Sequence, residues 1–280
     1  MNTHVHKIFL ITGVSSGFGL AFSQAVLAAG HTVVGTVRRE SERTAFEALD
    51  TDRAKAVVLD VTDYQAIEPL VAEILGNVGR IDVLVNNAGY GHEGILEESP
   101  LTEMQRQFAT NVFGAVAMIK AVLPGMRERR NGHIVNITSM AGFITLPGIA
   151  YYSGSKFALE GISEALAKEV EHLGIHVTAM APGSFRTEWA GRSMIRSVRT
   201  LSDYDSVFDP LRKTREEKSG KQTGDPHKAA QALLALVAAE KPPIHLLLGQ
   251  DALRLVREKI ARLQTEIAAW ERLSESTDFD

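Results

Sequence analysis

"TGVSSGFG", Thr12 to Gly19, is the stretch from which the rest of the chain is read. Its glycines stand at 13, 17 and 19, the spacing G-x-x-x-G-x-G, directly after the apolar run "KIFLIT" (7–12) and at the head of an amphipathic segment over 17–29. A second strand-like run, "HTVVGTV" (31–37), closes a βαβ unit. A tight strand-to-helix turn is by itself enough to call for glycine. Within a βαβ unit the turn gains a further use, because glycine lets the backbone approach a ligand closely while the free amides and positive dipole end of the following helix attract a pyrophosphate. Dinucleotide contacts are therefore expected at Gly13, Ser15, Ser16, Gly17, Phe18 and Gly19.

The second strand ends in "VVGTVRRE". A dinucleotide fold that selects NAD usually has an acidic residue here to hold the ribose 2′-hydroxyl, but this chain has Val37 followed by Arg38 and Arg39. Guanidinium groups bind a 2′-phosphate through forked, charge-assisted hydrogen bonds, so the sequence predicts NADP(H) in preference to NAD(H). Two solvated surface arginines are the plainer alternative.

Working outward, five further β-rich runs follow: "KAVVLDV" (55–61), "DVLVNN" (82–87), "HIVNIT" (133–138), "HVTAMA" (176–181) and "IHLLLG" (244–249). Most are continuous apolar runs, as expected of strands covered on both faces. The segments 17–29, 63–77, 103–130, 153–172 and 225–239 are long enough for crossover helices. The expected fold class is α/β: one doubly wound Rossmann domain over 1–280, with a predominantly parallel seven-stranded sheet and helices on both faces. No internal repeat, low-complexity tract or dividing linker is present.

Composition narrows the function classes. With 45% hydrophobic and 23% charged residues, the 280-residue chain suits a folded α/β domain with a sizeable core. A net charge of -4 gives no support to a nucleic-acid or anionic-membrane partner. The absence of cysteine excludes disulfides and thiolate chemistry. "MNTHVHKIFLITG" has too short an apolar run for a signal peptide, and no later run approaches the roughly 18 apolar residues of a membrane span, so a cytoplasmic location is expected.

"YYSGSK", Tyr151 to Lys156, sets two tyrosines ahead of a lysine. Helical spacing gives Tyr152 and Lys156 one face and turns Tyr151 elsewhere. With these motifs in order, residues 7 to 250 resemble the short-chain dehydrogenase/reductase family. "TGVSSGFG" matches its TGxxxGxG turn, Asp60-Val61 its adenine-side contact, "NNAG" at 86–89 its fourth-strand motif with contacts at Asn87, Ala88 and Gly89, and Pro182-Gly183 its sixth-strand ending. The resemblance further implies that Thr187 meets the nicotinamide carboxamide, and that Asn111 ("TNVFG"), Ser139 ("NITSMAG"), Tyr152 and Lys156 form a catalytic tetrad, Tyr152 and Lys156 also touching the cofactor. It implies a homodimer or homotetramer built through the helices at 103–130 and 153–172.

The chemistry expected of that set is interconversion of a ketone or aldehyde with an alcohol. Tyr152 is the proton donor; free tyrosine titrates near about 10, and a positive charge within about 4–6 Å, here Lys156, lowers such a pKa by roughly 1–3 units. Ser139, thirteen residues before Tyr152, would hydrogen-bond the same substrate oxygen. No G-x-S-x-G elbow marks it as a nucleophile. Asn111 is implied by the resemblance to hold a water that links Lys156 to solvent. A noncatalytic NADP-binding sensor or scaffold, and a redox-neutral isomerase or dehydratase, are the rival readings.

Met140, Phe143, Phe185 and Trp189, with Ser139 and Tyr152, are expected to contact a small-molecule substrate, and Tyr90 and His92 are further pocket candidates. Their apolar character suits a nonpolar or mixed-polarity carbonyl compound. Residues 183–224 form a connection far longer than the usual 2 to 6 or so, read as a substrate lid, with a mobile surface excursion as the alternative. At the C-terminus (251–273), Leu253, Val256, Ile260, Leu263, Ile267 and Trp270 recur at steps of three and four, an a/d stripe that docks either on the chain's own core or on a partner subunit. His172 and His176 are four apart, but Gly174 breaks any shared helical face, so no metal is expected.

Overall fold

The computed structural model describes residues 5–187, 191 and 193–279. The first half alternates strand and helix: β1 (Ile8–Ile11), α1 (Gly17–Ala28), β2 (Thr32–Val37), α2 (Glu40–Glu47), β3 (Ala54–Val58), α3 (Tyr64–Val78) and β4 (Val83–Asn86). A short β5 (Gly91–Glu93) precedes α4 (Leu101–Phe108), a π-helical turn (Ala109–Gly114) and α5 (Ala115–Arg129). Then come β6 (Gly132–Ile137), α6 (Ala150–Val170), β7 (Ile175–Pro182), β8 (Met194–Arg196), α7 (Asp205–Lys218), α8 (Pro226–Ala238), β9 (His245–Leu248) and α9 (Gln250–Glu275).

The main sheet has seven parallel strands in the order β3-β2-β1-β4-β6-β7-β9. All seven strands read from the sequence are present, each with bounds shifted by at most a few residues. Along β1, Phe9 and Ile11 enter the core shared with Phe22, Val26 and Leu233, while Ile8 and Leu10 enter the one shared with Ile67, Leu84 and Met118. Burial on both faces is why the strands show no polar alternation. Strand order reverses between β1 and β4, and the crevice at their C-terminal ends is where open α/β sheets bind ligands.

The helices from Leu101 to Arg129 run on as one body, apolar and long enough to cross a bilayer by length and composition, contrary to the expectation that no such run exists. In the fold, Met118, Ile119, Val122 and Met126 of this body belong to the core.

The described residues after Gly183 include regular elements. β8 pairs in parallel with β5, a strand that the sequence reading missed because three residues carry no periodicity, and α7 buries Phe208. Ion pairs fasten it. Glu93, 1% exposed, lies 2.9 Å from Arg196 and 2.6 Å from Arg215, while Glu98 meets Arg199, which also pairs with Asp205 and Asp209. Because α7 is held by charge and one aromatic, its sequence shows little apolar patterning.

Candidate active site

Thr12 organises the turn after β1. Its hydroxyl accepts the backbone N–H groups of Asn87 (3.0 Å) and Ala88 (2.9 Å), and the Asn87 side-chain amide donates to the carbonyls of Thr12 (2.8 Å) and Gly13 (3.0 Å). These bonds tie the end of β1 to the end of β4. Gly13 (φ 71°) and Gly17 (φ 56°) hold left-handed conformations, and a Cβ on Gly19 would collide with the Gly13 carbonyl and the Asn87 amide. Ser16, the N-cap of α1, makes no side-chain cap, so among the described residues it leaves the first-turn amides for another acceptor.

This turn forms one end of a cleft of about 1380 Å³. Its walls include Gly13, Ser15, Ser16, Gly17 and Phe18 from the turn, Arg38 and Arg39 after β2, Asp60 and Val61 after β3, and Asn87, Ala88 and Gly89 after β4. Ser139, Tyr152, Lys156, Pro182, Gly183 and Thr187 complete the far end. The volume, the glycine turn and the uncapped amides fit a dinucleotide.

Arg39 and Glu42 form an ion pair at 2.6 Å, which holds the Glu42 carboxyl below its ordinary pKa. Arg38 makes no side-chain ion pair with the described residues and lines the same cleft. The Asp60 carboxylate is engaged by the Thr62 N–H (2.9 Å) and hydroxyl (2.7 Å).

At the other end, α6 separates its two tyrosines. Tyr152 lines the cleft and Lys156, one turn on, places Nζ 5.8 Å from the Tyr152 ring centroid. Lys156 is buried and donates to the Ile137 carbonyl at 2.8 Å; burial pushes its pKa down to about 8, against the opposing pull of the Glu160 carboxylate. Tyr151 points away, stacking on His92 at 5.0 Å and donating to the Ser99 carbonyl at 2.8 Å. Ser139 follows β6 at the N-cap of a 3-10 turn, its hydroxyl accepting from the Ala141 N–H (3.1 Å).

Asn111 sits in the π-helical turn, where its amide donates to the Tyr90 carbonyl and to Ser155 Oγ, both at 3.1 Å, and its oxygen accepts from the Tyr90 N–H. The extra residue per turn directs Asn111 towards β4 and α6.

Met140 and Phe185 line the cleft, and so does Tyr90. Phe143 does not. The 3-10 turn Met140–Gly142 rotates it outward, where its ring meets His245 edge-on at 5.6 Å. His92 is also withdrawn, 1% exposed and bonded to Ser197. Trp189 lies outside the described residues. The sequence reading missed the hub Thr12, whose signal was its place in the "TG" pair, and the wall residues Ile144, Leu146, Ile149, Ile195, Arg106 and Arg215, which had none.

Comparison with known proteins places the chain in a family. Residues 7–195 match the short chain dehydrogenase family. The chain is 36% identical over 270 residues to Oxidoreductase BOA17 of Botryotinia fuckeliana, covering 96% of this chain and 98% of that one. It is 40% identical over 246 residues to 3-ketodihydrosphingosine reductase of Bacteroides thetaiotaomicron, covering 87% and 88%. A crystal structure of a short-chain dehydrogenase from Streptomyces avermitilis superposes with a TM-score of 0.91 at 40% identity, covering 99% of this chain and all of that one. The chain belongs to the short-chain dehydrogenase/reductase family. It is an oxidoreductase of that family, with a nicotinamide dinucleotide, NAD or NADP, as cofactor.

Proposed function

We propose that this protein interconverts a ketone or aldehyde and the corresponding alcohol, with NADP(H) preferred over NAD(H). The observation that carries the reading is the convergence of Tyr152, Lys156 and Ser139 on the cleft that also holds the glycine turn. The bound nicotinamide supplies or receives the hydride. Tyr152 Oη gives its proton to the carbonyl oxygen as negative charge grows there, and Ser139 Oγ donates a second hydrogen bond to that oxygen. The Lys156 ammonium, fixed by the Ile137 carbonyl, stabilises the phenolate left behind. Asn111 holds the turn against Tyr90 and Ser155 and, by family resemblance, keeps a water that returns protons to Lys156.

Preference for NADP(H) rests on Arg38, whose guanidinium has no ion-pair partner among the described residues, and on the missing acid after β2. An apolar carbonyl compound is supported by the wall of Met140, Ile144, Leu146, Ile149 and Ile195, and by the relative named as a 3-ketodihydrosphingosine reductase. The proposal extends to a cytoplasmic, single-domain protein assembled as a homodimer or homotetramer through α4–α5 and α6. A panel of hydrophobic ketones and aldehydes, followed by nicotinamide absorbance with each coenzyme, tests the reading. Net NADPH oxidation that stops in Tyr152→Phe is expected; a variant that binds NADPH and turns over at the full rate rejects Tyr152 as the acid.

A further inference from the structure

The last helix carries a surface that the reaction does not use. α9 is attached through its opening turns: Ala252 and Val256 are buried, and Asp251 accepts the N–H of Ser184 at 2.8 Å. From Ile260 to Phe279 every side chain is exposed. Ile260, Leu263, Ile267 and Trp270 are 50, 45, 59 and 65% exposed and continue the three-and-four spacing begun at Leu253 and Val256. A helix of 26 residues is about 39 Å long, and an apolar seam along most of it is more than scattered surface leucines.

The charges beside the seam select its occupant. Five basic and five acidic residues balance between Gln250 and Glu275, so nothing draws the helix to an anionic bilayer or to nucleic acid. Lys259 and Glu266 flank one edge of the stripe, seven residues apart and of opposite sign; Gln264 and Glu271 flank the other.

We propose that α9 pairs with α9 of a second copy of this chain as an antiparallel two-helix coiled coil, Ile260 of each facing Leu263 of the other. In that register Lys259 of one copy lies beside Glu266 of the other, and the two-fold axis repeats the pair. A parallel pairing sets Glu266 against Glu271 of the second copy, like charges met twice. The antiparallel seam also brings Leu253 opposite Trp270 and keeps the two globular bodies at opposite ends. The pairing is independent of the reaction.

The chain has no cysteine, so one introduced thiol reports proximity without background. Full-length Leu253→Cys and Trp270→Cys chains, mixed and mildly oxidised, are expected to give a disulfide-linked dimer that neither forms alone. Self-linking of Leu253→Cys indicates a parallel pairing and overturns the proposal, as does a lack of cross-linking in all three samples. Sedimentation of Lys259→Glu and Glu266→Lys chains leaves every apolar contact in place. Their mixture is expected to associate about tenfold more tightly than either alone, because reversed charges are complementary only between the two chains. Equal association in all three samples overturns the proposal. So does binding of the unaltered chain to phosphatidylserine vesicles through an α9 that does not self-associate.

Discussion

Tyr151 and Tyr152 are neighbours with opposite surroundings, one bonded to the Ser99 carbonyl and stacked on His92, the other facing the cleft above Lys156. Tyr152→Phe removes only the hydroxyl, and its turnover is expected to fall by about 10²–10⁴ with NADPH affinity preserved in a fluorescence titration. On the proposed mechanism, Lys156 is expected to make the reaction pH-dependent. Its folded pKa of about 8 lies below the ordinary lysine value of 10.5, so carbonyl reduction should decline as pH rises through about 8 and the ammonium is lost. Stability moves the other way: between about 8 and 10.5 the unfolded chain binds more protons at this position, and this lysine's contribution rises with pH. Arg38→Ala is expected to weaken NADPH binding by about 10- to 100-fold and to leave NADH unchanged, read by titration with both coenzymes. The spacing of YxxxK by itself separates the two tyrosines. Phe143 was misread, since three residues of 3-10 turn decide which way an aromatic points and no periodicity records them.

At the level of elements, β8 and α7 are joined to β5 by charges brought together from more than a hundred positions apart. Glu93→Ala leaves Arg196 and Arg215 facing each other without the carboxylate between them. Limited proteolysis should then cut within 194–218 far faster than in the parent chain, with coenzyme binding little changed. Acid should loosen the same region. The N–H groups of Thr200 and Leu201 and the Arg199 guanidinium hold the Glu98 carboxyl down at about 2 against its ordinary 4.5. Its stabilising contribution is complete above about 4.5 and is lost as pH falls through about 2, so proteolysis at 194–218 should accelerate over that window. The sequence marked this connection as too long to be a simple loop. It could not show α7, whose single buried aromatic, Phe208, and polar faces lack the apolar stripe that reveals a helix.

For the whole molecule, the sheet is the frame in which distant loops meet, and ligand binding across β1, β4 and β6 couples to global stability. NADPH at about a hundred times its dissociation constant should stabilise the fold by about 2.7 kcal/mol, seen as a raised thermal midpoint that Tyr152→Phe retains. The sequence by itself determined the strands, the parallel class, the glycine turn and the Tyr152–Lys156 face, because each depends on near neighbours: continuous apolar runs, tight backbone geometry, residues one helical turn apart. Only the tertiary structure decided that Thr12 clasps the end of β4, that Glu93 sits between two arginines of a later segment, that Phe143 turns from the cleft, and that α9 stands clear after Val256. The first two outcomes rest on contacts between residues far apart in the chain. Burial and charge pairing exist there only once the fold has closed.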